Sequence, residues 1–251
     1  MRHFLGVALI CLMFPFKVLS VQNKVLDVGL MDQGRPPYFT LPTETALATG
    51  LYIDILDEIG REVGVKFRYR FLPQARIRHL MNHYRIDVEP GIAKEWRTEE
   101  IELKQSVYST TILTSSEVAV YNPKNIKIPV TKDVLASLTP CSILGFFDLD
   151  LSKDKLKDQH IKPQQVLTEI QLLQMIKNKR CDFAVFPKDV VKPHLSRLGL
   201  MATDSVAVFD LKIRFTEQYS ELLPQVNNAI ETMLYNGKIE EIISKYRGVR
   251  D

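Results

Sequence analysis

The stretch "GLYIDILDEIGREVGVKFRYRFL", Gly50 to Leu72, changes its hydrophobic period in mid-course. Leu51, Ile55, Leu56, Ile59 and Val63 recur at helical spacing, which predicts an amphipathic helix stopped by Gly64. From Val65 onward apolar and charged residues alternate, Val65, Phe67, Tyr69 and Phe71 against Lys66, Arg68 and Arg70, which predicts a strand. A helix delivered straight into a strand is half of a βαβ unit, and such units build parallel sheets covered by helices.

The same alternation of strand and helix extends in both directions. "VLDVGLM" (Val25 to Met31) reads as a strand followed by a turn-rich loop, "DQGRPPYFTLP". "PQARIRHLMNHY" reads as a helix with Ile77, Leu80 and Met81 inward, and "RIDVEPGI" returns as a strand. After "SVYSTTILTSSEVAVYNP" the pattern restarts: strand "TPCSILGFF", polar segment "DLDLSKDKLKDQHIKP", helix "LTEIQLLQMIKN", strand "CDFAVFP". Two βα lobes of comparable construction are expected. The closing segment is helical, with Leu222, Val226, Ile230 and Leu234 on one stripe, a break at Asn236-Gly237, and Ile239, Ile242 and Ile243 on a second stripe.

The N-terminus has the three-part layout of a secretory signal peptide: Met1-Arg2-His3, an apolar run from Phe4 to Phe16, and cleavage expected after Ser20. Pro15 and Lys17 leave that run short of the roughly 20 residues of a membrane span, and Ile10 before Cys11 argues against lipid attachment. Losing Arg2 and Lys17 reduces 33 basic residues to 31 against 30 acidic ones. No nucleic-acid or membrane footprint follows from that balance. Cys141 and Cys181 remain, and an exported chain meets an oxidising compartment, so they form either one disulfide or two buried thiols.

Four stretches together resemble the bacterial extracellular solute-binding proteins of family 3, which capture polar amino acids and similar solutes in the periplasm. "LDVGLMDQGRPPYF" is similar to the family's first strand and Pro-Pro-aromatic loop. Gly50, Asp54 and Gly64 fall on its first-helix motif, and Asp87, Gly91, Arg97, Ile101, Leu103 and Tyr108 on the segment after its Asp-strand. "NGKIEEIISKYRG" matches its closing helix, with Tyr246 where Trp is usual. The resemblance implies an α/β, two-lobed periplasmic-binding-protein-like fold of type II, with two hinge crossovers and a ligand cleft between the lobes. The crossings are expected near Thr114 to Val120 and Val208 to Ile213. Lobe 1 then comprises residues 21–114 and 212–251, and lobe 2 residues 115–211. It also implies that the strands beginning at Cys141 and Cys181 lie side by side, within reach of a disulfide.

By the same resemblance Arg97 grips a ligand carboxylate with its planar fork, or else it is a surface arginine paired with Glu99 or Glu100. Tyr38 and Phe39 form aromatic walls or plug the core. Arg76 near a helix start offers an anion site or is solvated, and Tyr108 lines the cleft or packs beneath it. The chain also departs from the pattern. "GFFDLDLS" from Gly145 replaces the usual Gly-x-Gly-Thr, Lys94 or Glu95 stands where a Thr is usual, and Pro187 occupies the place of an ammonium-binding acid. Asp148 and Asp189 are the candidate substitutes. His79 and His83 lack the Glu of a metalloprotease helix, so no metal is expected; no cofactor fingerprint or nucleophile motif is present, so no cofactor is expected either. The expectation is a monomeric, non-catalytic periplasmic receptor that hands a small solute to an inner-membrane permease. An enzyme on the same scaffold, resembling cyclohexadienyl dehydratase, and a periplasmic sensor module are the alternatives.

Overall fold

The computed structural model describes residues 24–127, 129–146 and 163–247. The expected signal peptide and the candidate Asp148 lie outside the described residues. Strand β1 (Lys24–Met31) is followed by helix α1 (Leu51–Val63), β2 (Val65–Leu72), α2 (Gln74–Met81) and β3 (Val88–Ile92). β2 and β3 flank β1 in parallel, with Lys24 opposite Val65 through Met31 opposite Leu72. The change of period at Gly64 is therefore the boundary at which α1 hands over to β2.

A single 3-10 turn (Lys94–Trp96), the short helix α3 (Glu100–Lys104) and β4 (Ser106–Tyr108) lead into β5 (Leu113–Tyr121). The second half contains α4 (Lys132–Ala136), β6 (Cys141–Ile143), β7 (Gln164–Val166), α5 (Glu169–Lys177), β8 (Phe183–Pro187) and α6 (Lys188–Leu198). The long strand β9 (Met201–Thr216), α7 (Leu223–Tyr235) and α8 (Lys238–Arg247) close the described chain.

β9 joins the two halves. Its C-terminal part pairs antiparallel with β3 and β4, and its remainder pairs antiparallel with β5 from Leu211 opposite Leu113 to Met201 opposite Tyr121. The order β2-β1-β3-β9-β5-β8 results. β6 and β7 form a parallel pair that a bridge from Pro140 to Phe183 sets beside β8, repeating the arrangement of the first half. The disulfide Cys141–Cys181, with its Cα atoms 6.0 Å apart, ties the start of β6 to the chain entering β8.

Each half has its own core. Leu26 and Val28 of β1 pack with Ile55, Leu56 and Ile59 of α1 and with Val226 and Ile230 of α7, all fully buried. Burying each such side chain stabilises by about 1.5–3 kcal/mol. The closing stripe differs from expectation at one end: Leu234 is exposed, while Ala229 and Met233 are buried. Steps of four residues advance about 40° beyond a full turn, so three such steps leave the core-facing side. Ile101 and Leu103, which match a family motif, are exposed on α3. Helix α6 was not anticipated; Pro193 within it removes one backbone donor, yet Val190 and Val191 anchor its inner face.

Candidate functional site

A cavity of about 100 Å³ lies where the two halves meet, outside the carboxyl ends of the parallel strands. From the first lobe it is lined by Phe39 after β1, Tyr52 of α1, Gln74 of α2, Glu89 and Gly91 of β3, and Trp96 and Arg97 beyond it. Opposite these it is lined by Gly145 and Phe146 after β6 and Val185 and Pro187 of β8, with Glu117 of β5 and Phe209 of β9 from the strands that join the halves. Gly91 makes the seat for Tyr52: its φ is +74°, and a Cβ there would stand 2.1 Å from the Tyr52 hydroxyl. The Tyr52 ring in turn stacks on Tyr38, centroids 5.0 Å apart.

Beneath the first-lobe wall runs a buried charge network. Glu89 accepts from Arg97 Nη2 at 2.7 Å, from Gln74 Nε2 at 2.7 Å and from Arg214 Nη1 at 3.1 Å. Burial opposes its charge, but Arg97 and Arg214 outweigh that and hold the carboxyl down at about 2. Glu102, also fully buried, receives Arg78 through a two-pronged contact, both bonds 2.8 Å. Arg97 Nε stands 3.8 Å from Glu102 and has no hydrogen-bond partner. Three guanidiniums thus share two fully buried carboxylates, with Glu99 reaching Arg78 from the exposed rim.

The lobes touch across the cavity. Arg35 donates from Nε to Glu169 at 3.0 Å and lies over the Phe146 ring at 5.3 Å. Burial disfavours the Arg35 charge, but Glu169 more than compensates and its pKa sits above the usual arginine value. Gln33 donates to the Leu167 carbonyl at 2.8 Å, and Trp96 meets Phe209 edge-on at 5.1 Å. Gly145, with φ +89°, abuts α2 so closely that a Cβ would stand 2.6 Å from the Ala75 nitrogen. Such contacts bridge the two halves beside the cavity.

The residues singled out from sequence fall in three groups. Arg97 and Phe39 stand on the cavity wall, and Tyr38 is buried behind Tyr52. Arg97 is no surface arginine; it is 2% exposed, and its carboxylate partner is Glu89 rather than Glu99 or Glu100. Arg76 is exposed on α2 and off the wall; Arg78, one half-turn on, is the helix arginine that reaches inward. Tyr108 is half-buried in β4 and Asp189 exposed at the start of α6, neither on the wall. Among the described residues no cluster of metal-ligating side chains occurs, and the His83 ring meets the His79 carbonyl at 2.7 Å. Sequence reasoning missed Arg35, Glu89 as a fixed partner of Arg97, Trp96 and Glu117. Arg35 had one signal, its place beside the Pro36-Pro37 pair; Glu117 had none.

Residues 26–249 match the bacterial extracellular solute-binding proteins, family 3, and the chain belongs to that family. An ancestral arginine-binding protein bound to arginine superposes with a TM-score of 0.73 at 22% identity, covering 89% of this chain and 98% of that one. The arginine-, lysine-, histidine-binding protein ArtJ of Geobacillus stearothermophilus gives 0.72 at 16% identity, covering 91% and 97%. A histidine kinase sensor domain similar to periplasmic binding proteins gives 0.71 at 17%, covering 91% and 98%. No curated protein matches the sequence. No helix among the described residues is long and apolar enough to cross a membrane.

Proposed function

We propose that this chain is a periplasmic receptor that closes on a small, carboxylate-bearing, amino-acid-like solute and presents it to an inner-membrane ABC-type permease. In this reading residues 21–114 with 212–251 act as one jaw and 115–211 as the other, hinged where β5 and β9 run between them. The observation that carries it is the position of Arg97, buried in the cavity wall with Nε unpartnered, in a network whose guanidiniums outnumber its fully buried carboxylates. An anionic group entering the cleft completes that balance, and a buried, water-poor surrounding strengthens the attraction. The cavity is well below the roughly 300–1,000 Å³ of pockets for drug-sized ligands, which suits a small solute.

The test is mass spectrometry of small molecules released from the natively purified protein, followed by scattering with and without the released compound. A bound, unmodified carboxylate solute that reduces the radius of gyration supports a receptor. An empty protein that binds no small solute and never changes shape sinks the reading. One observation favours an enzyme as the second reading: a dehydratase needs a protonated carboxyl in the cavity, and burial raises the Glu117 carboxyl. Glu89, held ionised, cannot serve. Turnover of prephenate or arogenate, abolished by Glu117→Gln, would move the assignment to that side.

A further inference from the structure

Arg35 belongs to the first lobe in sequence, yet groups of the second lobe hold its charge. Its Nε and Nη2 donate to one Glu169 oxygen, Oε1, at 3.0 and 2.8 Å, and the two side chains are only 12% and 14% exposed. The guanidinium carbon lies 5.3 Å from the Phe146 ring centre and 6.0 Å from that of Tyr38, so the cation sits between one aromatic ring of each lobe. Phe146 packs against the cores of both halves. It stands in "GFFDLDLS", the stretch in which the chain departs from its family's pattern.

Each end of this contact is fixed locally. On the first lobe the turn at Pro36-Pro37 folds Arg35 back on Phe39: the Arg35 N–H donates to the Phe39 carbonyl at 2.7 Å, and the Arg35 carbonyl accepts from the Tyr38 N–H at 2.8 Å. On the second, the Thr168 hydroxyl caps α5 by accepting from the Gln171 N–H at 3.0 Å. Glu169 is the first residue of that helix, where the dipole favours a carboxylate. Joining two groups already held in place loses little conformational freedom. Gln33, donating to the Leu167 carbonyl, adds a neutral bond beside the pair. These links run from protein group to protein group, so they form with or without a solute.

Resting on the jaw motion of the receptor reading, though on no particular solute, we infer that Glu169 and Phe146 are positioning residues that latch the second lobe to Arg35, so that a solute completes a closure the chain itself begins. A two-state opening is biased by whatever binds one state better, and here that binder is the chain's own side chain. Opening returns both ions to water, so the latch tilts the balance without locking it. Removing Glu169 strands the Arg35 charge in the closed form alone, which drives the balance to the open side. Through the turn from Arg35 to Phe39 the same contact also holds Phe39 in the cavity wall.

The experiment takes the protein stripped of solute by unfolding in guanidinium and refolding with its disulfide intact, and compares wild type with Glu169→Gln, Phe146→Ala and the double variant Arg35→Gln/Glu169→Gln. Two signals follow opening: the radius of gyration from small-angle scattering, and acrylamide quenching of Trp96, the single tryptophan, which lines the cavity. Glu169→Gln lowers the closed-to-open ratio by at least about tenfold, read as a larger radius and stronger quenching with unchanged circular dichroism. Phe146→Ala shifts both signals the same way. The double variant, which strands no charge, is more compact than Glu169→Gln alone. Glu100→Gln, which breaks an exposed pair with Lys104 inside one lobe, shifts neither signal. Signals unchanged in Glu169→Gln and Phe146→Ala, or a double variant as open as Glu169→Gln, overturn the latch. If Glu169→Gln fails to fold, Phe146→Ala decides; if neither folds, the contacts are structural and the proposal falls. No solute enters these measurements, so their failure leaves the receptor reading standing, and that reading falls separately on an empty native mass spectrum.

Discussion

Glu89→Gln is the substitution whose effect the structure fixes most closely. The side chain is 2% exposed and accepts from two guanidiniums and one amide, and its carboxyl falls from an ordinary 4.5 to about 2 in the folded protein. At 1.36 kcal/mol per pH unit this depression contributes about 3 kcal/mol of stability at neutral pH. Gln keeps the shape and an acceptor oxygen but not the charge, so Glu89→Gln should lose about that amount, and Glu89→Ala, which strands Arg97 and Arg214, about 3–5 kcal/mol. Because the folded pKa is the lower one, the contribution is complete above the unfolded value and declines as pH falls through 4.5 toward 2. By about pH 3.5 the unfolded chain already holds most of its proton and the folded one little, so the difference between wild type and Glu89→Gln should shrink by about 1 kcal/mol. Urea unfolding of ligand-free protein at neutral pH and at about pH 3.5 measures both quantities. A difference within about 0.5 kcal/mol at neutral pH, or one that does not narrow in acid, would refute the reasoning.

Arg97→Lys keeps a charge beside Glu89 but loses the fork, and should weaken solute binding by about 1.5–3 kcal/mol in calorimetry; affinity within about threefold of wild type would place the anion elsewhere. Removing the Cys141–Cys181 bond, which spans a separation of 40 residues, should cost about 3–4 kcal/mol in chemical denaturation. Two free thiols in the denatured, unreduced protein would show that no bond was there to remove. Gly145→Val places a branched side chain where even a Cβ would meet the Ala75 backbone at 2.6 Å, so it should hold the lobes apart. Scattering would report this as a larger radius of gyration with solute present, and an unchanged radius would mean that the contact yields.

The sequence by itself determined the alternating βα elements of each half and the closing helices, though not α3, α4, α6 or the long strands β5 and β9. Period 3.6 over Leu51–Val63 and period 2 over Val65–Leu72 are local consequences of which face each segment buries, so helix, strand and their boundary could be read directly. The restart after β5 is the same signal repeated, and the matching stretches around Asp87–Tyr108 and Asn236–Gly248 identified the family. Arg97 and Phe39 were legible because they sit at fixed distances from those stretches.

Partnership was not legible, since it depends on residues far apart in the chain. Arg97 reads as a free ligand anchor or a surface charge until the fold sets Glu89, 8 residues before it, against its guanidinium and β9 brings Arg214, 125 residues from Glu89, to the same carboxylate. Arg76 and Arg78 are indistinguishable by pattern, and only the rotation of α2 sends Arg78 inward to Glu102. The place of Glu117 is the clearest case. Nothing in "TSSEVAV" marks a cavity residue, and its place arises from the register of β5 against β8, which sets Glu117 opposite Pro187 at the cavity. Hydrophobic period is written into neighbouring residues, whereas ladder register and lobe closure are settled by the whole chain packing at once, and the chemistry of the cleft belongs to the second kind.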